Sequence, residues 1–327
     1  MSAAKNSGVI HAIMCDRLGN QLFRYAYARA LQVKYYPDYH INVNFYHFIN
    51  DSIQKQNENS LQYFRLNDDI TYTYENTKKL RTPLQFVLNA IQVILEKILP
   101  HKIIYPIDTK LLQPLFNKAG LYNPLSYESC VLPRPSHSKN IICSACFEAY
   151  GYVADIRDIL LEEFTPKYDV MPQNIPLLDE INNSESVSIH IRRGDFLAPE
   201  NDSVYNVCNE EYFVSAAKAI REELPDCKFF VFSDDIENVK RNIHIPFEAR
   251  YVSSDIPPYE TLRLMYSCKH FIISNSTFSW WGQYLGRNPG KMVYAPSPWR
   301  RSWRDLSGMY TPNMRLIPCS KADSGKH

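Results

Sequence analysis

The C-terminal half of the chain alternates short apolar runs with amphipathic stretches, and this limits the fold more than any other feature. Val187 to Ile191 reads as an apolar strand, followed after a loop by a helix from about Glu210 to Leu224. Lys228 to Phe232 is a second buried strand that ends in Ser233-Asp234-Asp235. A helix follows, then a short strand at Ala249 to Val252 and a helix from about Tyr259 to Cys268. Strand His270 to Ser274, helix Phe278 to Leu285 and strand Met292 to Ala295 complete the series. Strands separated by helices predict a parallel, doubly wound α/β sheet, whose ligand site lies beyond the carboxyl ends of the strands.

The N-terminal half begins in the same way, with strand Val9 to Met14, loop Cys15 to Asn20 and a helix from about Gln21 to Val33. Residues 45 to 130 are hard to read apart from one helix, Pro83 to Leu99, whose polar residues Gln85, Asn89, Gln92 and Glu96 fall at helical spacing. Its wide apolar face is expected to pack against its own domain, with docking on a membrane surface as the alternative. Pro166, Pro172, Pro176 and the polar stretch Asn182 to Glu185 mark a domain boundary. The expected division is 1–170 and 171–327, two Rossmann-like domains facing each other across a ligand cleft.

Composition removes several classes. A net charge of +1 does not suit a protein that binds nucleic acid through a basic face. No run reaches the roughly 18 apolar residues of a membrane span, and the N-terminus carries no signal-like segment. Eight cysteines are scattered, and only Cys143 and Cys146 have metal-like spacing, without a second pair. They read as structural thiols in a reducing cytoplasm.

Three segments lie just past strand ends, where such sheets hold ligands. His190-Ile191-Arg192-Arg193-Gly194-Asp195 puts two adjacent guanidinium forks, matched to phosphate oxygens, beside a glycine that lets the backbone turn. Asp195 can hold one of those arginines; the same pattern also fits a surface salt-bridge cluster. Ser274-Asn275-Ser276-Thr277-Phe278-Ser279-Trp280-Trp281-Gly282 sets small hydroxyl residues at a helix start, an anion site or a plain N-cap. Trp280-Trp281 reads as core before ligand stacking. Arg17-Leu18-Gly19-Asn20-Gln21-Leu22-Phe23 offers a glycine and two amides, suited to a sugar or ribose, and is neither GxGxxG nor a P-loop. No DxD pair stands ready to hold a metal, so the arginines would supply the positive charge that a metal supplies elsewhere.

Together these segments resemble the α-1,2-fucosyltransferases, glycosyltransferase family 11. Arg17 to Phe23, with Tyr25-Ala26, is similar to that family's GLGNQxFxYA segment. His190 to Phe196 matches the HxRRGD-aromatic motif shared by α-1,2, α-1,6 and protein O-fucosyltransferases, and Ser274 to Gly282 matches SNSTFSWW. The resemblance implies a GT-B fold, a GDP-β-L-fucose donor, a β-galactoside-terminated acceptor and inversion at the anomeric carbon with neither metal nor cofactor. It implies that Arg192 binds the diphosphate and assists departure of GDP, while His190 and Asp195 shape the site and Arg193 supports it. Ser274, Asn275, Ser276, Thr277 and Phe278 would meet the β-phosphate and flanking donor atoms. Gly19, Asn20 and Gln21 would reach the donor from the other domain, and Asp234 would contact the nucleoside. Asp16 stands where that family usually has glycine and Arg24 where glutamine is common, so Asp16 could alter acceptor recognition or act as a base. Another GDP-sugar transferase and a catalytically silent glycan- or nucleotide-binding protein are the rival readings. A bacterial cytoplasmic enzyme, with peripheral contact at the membrane face, is the expected setting. The stretch Trp299-Arg300-Arg301-Ser302-Trp303-Arg304 reads as a solvated loop, with lipid or substrate phosphates as the other possibility.

Overall fold

The computed structural model describes residues 8–125, 131–301 and 306–319. The chain divides into two compact units, Met1–Phe164 and Thr165–His327, parting a few residues before position 170.

The N-terminal unit is built on a five-stranded sheet. Its strands are β1 (Val9–Ile13), β2 (His40–Asn44), β3 (Ile70–Thr73), β4 (Leu121–Tyr122) and β5 (Asn140–Cys143), in the order β3-β2-β1-β5-β4. Every pairing is parallel. The chain runs outward from β1 through β2 to β3 on one side, while β5 and β4 occupy the other, so the strand order reverses between β1 and β5. The helix Leu18–Tyr35 follows β1 and buries Leu22, Phe23, Tyr25, Ala26 and Leu31 against the sheet. It starts three residues before Gln21, so Leu18, Gly19 and Asn20 form its first turn and are not part of the loop.

The C-terminal unit carries a six-stranded parallel sheet. Its strands are β6 (Ser186–Ile191), β7 (Lys228–Ser233), β8 (Ala249–Tyr251), β9 (His270–Ile272), β10 (Val293–Ser297) and β11 (Met314–Pro318), in the order β11-β10-β9-β6-β7-β8. β6 is buried along its whole length, which is why it reads as a continuous apolar run. Helix Glu210–Glu223 turns Phe213, Ala216, Ala217 and Ile220 onto this sheet, and its Tyr212 hydroxyl donates to the carbonyls of Ile273 (2.6 Å) and Tyr294 (3.1 Å). Trp280 and Trp281 are fully buried, and the Trp280 indole N–H donates to the Met309 carbonyl at 2.6 Å. They are core residues, as expected.

Helix Pro83–Ile98 departs from expectation. A capping box closes its start: the Thr82 hydroxyl accepts from the Gln85 N–H, and the Gln85 carboxamide oxygen accepts from the Thr82 N–H. Its buried residues, however, are Gln85, Leu88 and Gln92. Gln85 donates to the carbonyls of Ala119 (2.9 Å) and Asn140 (2.7 Å), and Gln92 donates to Asp108 Oδ1 (3.0 Å) and the Asn123 carbonyl (2.8 Å). The polar stripe is turned inward because it satisfies carbonyls at the ends of β4 and β5 and a buried carboxylate. Leu84, Phe86, Val87, Ile91, Ile94 and Ile98 are left exposed.

Candidate active site

The reversal of strand order in the C-terminal sheet falls between β6 and β9, because β7 and β8 lie on one side and β10 and β11 on the other. The crevice outside the carboxyl ends of two such strands is where open α/β sheets bind ligands. Residues 192–195 leave β6 and residues 273–277 leave β9, so two of the three motif segments meet at that point.

Arg192 is held on three sides. Its Nε and Nη2 donate to Asp195 Oδ1 at 3.0 and 2.5 Å, and its Nη1 pairs with Asp234 Oδ2 at 3.1 Å. Its guanidinium carbon lies 5.6 Å from the Phe196 ring centroid. Asp234, at the end of β7, also accepts the Arg193 backbone N–H at 2.9 Å. Gly194 makes this bridge possible, because a Cβ there would run into the Asp234 carboxylate. Both Asp234 oxygens are thus engaged with residues 192–193. Asp234 was expected on a nucleoside; the fold gives it the task of holding the arginine segment.

Arg193 is different. It is 7% exposed, its Nε is buried without an acceptor, and among the described residues its guanidinium makes no hydrogen bond or ion pair. Burial pulls its pKa below the usual arginine value, with Cys208, Asp234 and Asp235 opposing from a distance. A nearly buried, uncompensated guanidinium is costly, and such a group is normally paired.

His190, the penultimate residue of β6, is 3% exposed, and its Nδ1 lies 3.2 Å from the Ser274 hydroxyl. Burial and, secondarily, the Arg192 charge lower its pKa to about 3, so the ring is neutral near pH 7. It ties β6 to the segment after β9. Within that segment Ser274 and Asn275 are consumed internally. The Ser274 N–H donates to Ser279 Oγ (3.1 Å); the Asn275 amide donates to the Tyr205 carbonyl (2.9 Å) and accepts from the Cys208 thiol (3.4 Å). Ser276 occupies the N-cap of helix Thr277–Leu285, yet its side chain caps nothing. The Ser276 side chain therefore does not serve as a plain N-cap, and the segment from Ser276 to Phe278 forms a helix start, the kind of place where first-turn N–H groups meet anions.

In the N-terminal unit the segment after β1 turns at Asp16, whose φ of 63° lies in the left-handed region. That conformation accounts for a residue type that readily adopts it, as glycine and aspartate do. Gln54 clamps the turn: its amide donates to Asp16 Oδ1 (2.9 Å) and accepts the Asp16 N–H (2.6 Å). Asn20 donates to Asp16 Oδ2 at 3.1 Å. Gln21 is fully buried, donating to the carbonyls of Asp16 (2.8 Å) and Glu58 (2.9 Å) and accepting the Ser60 N–H (3.0 Å). Gln21 is expected to meet a ligand; in the fold its amide braces the loop. Gly19 is buried in the helix's first turn, and Asn20 is the half-buried member of this segment. Arg24 is buried and donates to the Ile13 carbonyl at 2.9 Å, fastening the end of β1.

Sequence reasoning missed Gln54 and the bridging role of Asp234. Gln54 lies in the stretch that offered no periodic pattern. The position of Asp234 at a strand end was visible, whereas its partner was not. Apart from Cys130, which lies outside the described residues, the cysteines are free thiols. The described part of the basic-aromatic stretch packs down: Trp299 is buried and Arg300 sits 5.5 Å over the Tyr205 ring, while residues 302–304 lie outside the described structure. Among the described residues no cluster of three or more His, Cys, Asp or Glu could hold a metal ion.

Comparison with known proteins agrees with this architecture. The fucosyltransferase NodZ from Bradyrhizobium superposes with a TM-score of 0.50 at 12% identity, covering 85% of this chain and 93% of that one. That likeness shows a fold of the GT-B class. The sequence pattern described as glycosyl transferase family 11 matches residues 9–302, and the chain belongs to that family. An α-1,2-colitosyltransferase of Escherichia coli is 33% identical over 153 residues, 45% of this chain and 52% of that protein. The chain thus aligns with about half the length of that relative. An E. coli O-antigen biosynthesis glycosyltransferase, WbnK, is 26% identical over 299 residues, 89% of this chain and 94% of that one.

Proposed function

We propose that the chain transfers L-fucose from GDP-β-L-fucose to O2 of a terminal β-galactoside on an oligosaccharide or lipid-linked glycan, with inversion and without a metal. The observation that carries this reading is the uncompensated Arg193 guanidinium at the sheet's switch point, in a chain of family 11. An acceptor hydroxyl attacks the sugar's C1 from the face opposite GDP as the bond from C1 to the diphosphate oxygen breaks, the hydroxyl proton passes to water, and negative charge grows on the departing GDP. Arg193 supplies a charge that forms no ion pair among the described residues and is opposed only at longer range by Asp234 and Asp235. Arg192 assists departure of GDP through the donors left over from Asp195 and Asp234, since its fork has five N–H groups. The first turn at Ser276, Thr277 and Phe278 adds backbone and hydroxyl donors. Interactions that strengthen as leaving-group charge develops act on turnover more than on affinity.

His190 acts as a positioning residue, fixed by Ser274. Asp195 is committed to Arg192, which removes it as a free base. Asp16 and Asn20 are assigned to the reacting sugars on the strength of the family motif.

A second donor is supported by a specific observation. One relative is named for α-1,2 transfer of colitose, so another GDP-deoxyhexose on the same site is the alternative to fucose. The test is GDP release from GDP-fucose and GDP-colitose in EDTA, with and without lactose or N-acetyllactosamine, followed by NMR of the product. Acceptor-dependent release that EDTA leaves intact, with the new linkage at O2, supports the reading. Release abolished by EDTA and restored by a divalent cation would refute the metal-free mechanism.

A further inference from the structure

Helix Pro83–Ile98 presents a continuous apolar stripe to solvent. Leu84, Val87, Ile91, Ile94 and Ile98 recur every three to four residues, and each is more than two-fifths exposed. Phe86 and Val93 widen the stripe, and the exposed apolar series continues at Ile103, Leu111 and Leu115. Monomeric soluble proteins rarely leave such a patch uncovered without a partner for it. The inward side of the helix is already satisfied by Gln85, Leu88 and Gln92, so the stripe is not a core face awaiting the rest of its own unit.

Charge identifies the partner. Residues 77–119 hold seven basic residues against Glu96 and Asp108, a net of +5 in a chain whose total is +1, leaving −4 for the remainder. Asp108 is fully buried and spent on Gln92 and Gln113. Lys97, three residues after Ile94, and Lys102, Lys110 and Lys118 are exposed. We infer that this face docks on a lipid bilayer carrying anionic headgroups, the stripe entering the acyl boundary and the lysines meeting phosphate. Apolar burial combined with a lysine rim is what interfacial helices use. At 16 residues the helix spans about 24 Å, short of the roughly 30 Å hydrocarbon core, so it lies on the bilayer and does not cross it. No helix among the described residues is long and apolar enough to cross a membrane.

The spacing would equally suit pairing with a second copy of the helix. Charge opposes that occupant, because two copies would bring like-charged regions of +5 together, whereas paired helices place opposite charges beside the seam. The inference stands on the N-terminal unit alone and does not depend on which sugar is transferred. Docking of this kind would hold the enzyme beside acceptors carried on lipid.

The test is vesicle sedimentation of the full chain with phosphatidylcholine alone and with phosphatidylcholine–phosphatidylglycerol mixtures, at low and high salt. Partitioning at least about tenfold stronger on anionic vesicles, weakened by salt, is expected from about fivefold per lysine at such a surface. Ile91→Asn with Ile94→Asn, and separately Lys97→Glu with Lys102→Glu, should each lower partitioning by more than about tenfold. Both pairs lie on the exposed face, and unchanged circular dichroism and GDP binding will show that each variant is folded. Failure to bind anionic vesicles, or equal binding by wild type and both variants, overturns the inference. Loss of a dimer in ultracentrifugation by the isoleucine variant, with no vesicle binding by wild type, overturns it in favour of a second copy.

Discussion

Replacing Arg193 by methionine should stabilise the ligand-free protein while disabling it. Arg193 is 7% exposed, and its Nε is buried with no acceptor. A buried donor left unsatisfied costs about 1–3 kcal/mol, and more when charged. Methionine has comparable length and flexibility and nothing to satisfy. The variant should therefore gain about 1–3 kcal/mol, roughly 5 °C in Tm for a unit of this size. With GDP the gap should narrow or close. Wild type gains about 2.7 kcal/mol at a hundredfold excess over Kd, whereas the variant, lacking one charge-assisted contact, should bind about 10–100-fold more weakly. Turnover should fall by on the order of 10²–10³. Thermal and urea unfolding with and without GDP, together with steady-state rates on GDP-fucose, read all three quantities. A variant less stable than wild type without ligand, yet protected normally by GDP, would show that Arg193 has a structural partner and no role toward an anion.

Gly194→Ala should push Asp234 off both Arg192 and the Arg193 N–H, lowering kcat by on the order of 10²-fold with little change in Tm, as misplaced catalytic groups do; rates near wild type would refute the bridge. Stability of the C-terminal unit should fall in acid. Unfolded His190 takes up its proton near pH 6.5 and the folded residue only near 3. The full stability therefore holds above pH 6.5 and is lost as pH falls through that window, by up to about 1.4 kcal/mol per pH unit. Urea midpoints that do not move between pH 7 and 5 would contradict this. Asp16→Ala should cost about 1–2 kcal/mol, because alanine resists the left-handed turn and drops the Gln54 and Asn20 contacts. Asp16→Asn, which tolerates the turn and keeps an acceptor oxygen, should unfold close to wild type in the same denaturation assay.

Most of the strand framework was readable because these strands are buried on both faces, which makes each a compact apolar run bounded by polar loops. β6, β7 and β9 needed no other signal. The site was readable for a related reason: arginines and hydroxyl residues directly after such runs have no structural excuse in a core. What the pattern could not supply was pairing across distant segments. Gln54 reaches Asp16 over 38 residues, and Asp234 reaches the Arg193 N–H over 41, so neither contact leaves a local trace. Residue type was also a weak guide to role. Gln21 and Asn275 sit within motif segments yet are buried and engaged within the protein, whereas Arg193, expected in support, makes no side-chain hydrogen bond among the described residues.

Helix Pro83–Ile98 shows why amphipathicity alone mispredicted a face. Periodicity states which residues share a side; it does not state which side is turned in. Burying the apolar side is the default because each buried aliphatic side chain is worth about 1.5–3 kcal/mol. Against that stand the carbonyls of Ala119, Asn123 and Asn140 and the Asp108 carboxylate, all of which the glutamines reach. Asp108 and the Asn123 carbonyl also accept from Gln113, and the Asn140 carbonyl from Ser138 Oγ, so the glutamines complete these groups' hydrogen bonding, and a buried acceptor left wholly unsatisfied would cost about 1–3 kcal/mol. The three carbonyls lie at the ends of β4 and β5 and the carboxylate is buried beside them, and the glutamines that reach all four take up the helix's inward side. The apolar side retains its full driving force for burial, and that force is free to act on a surface outside the chain.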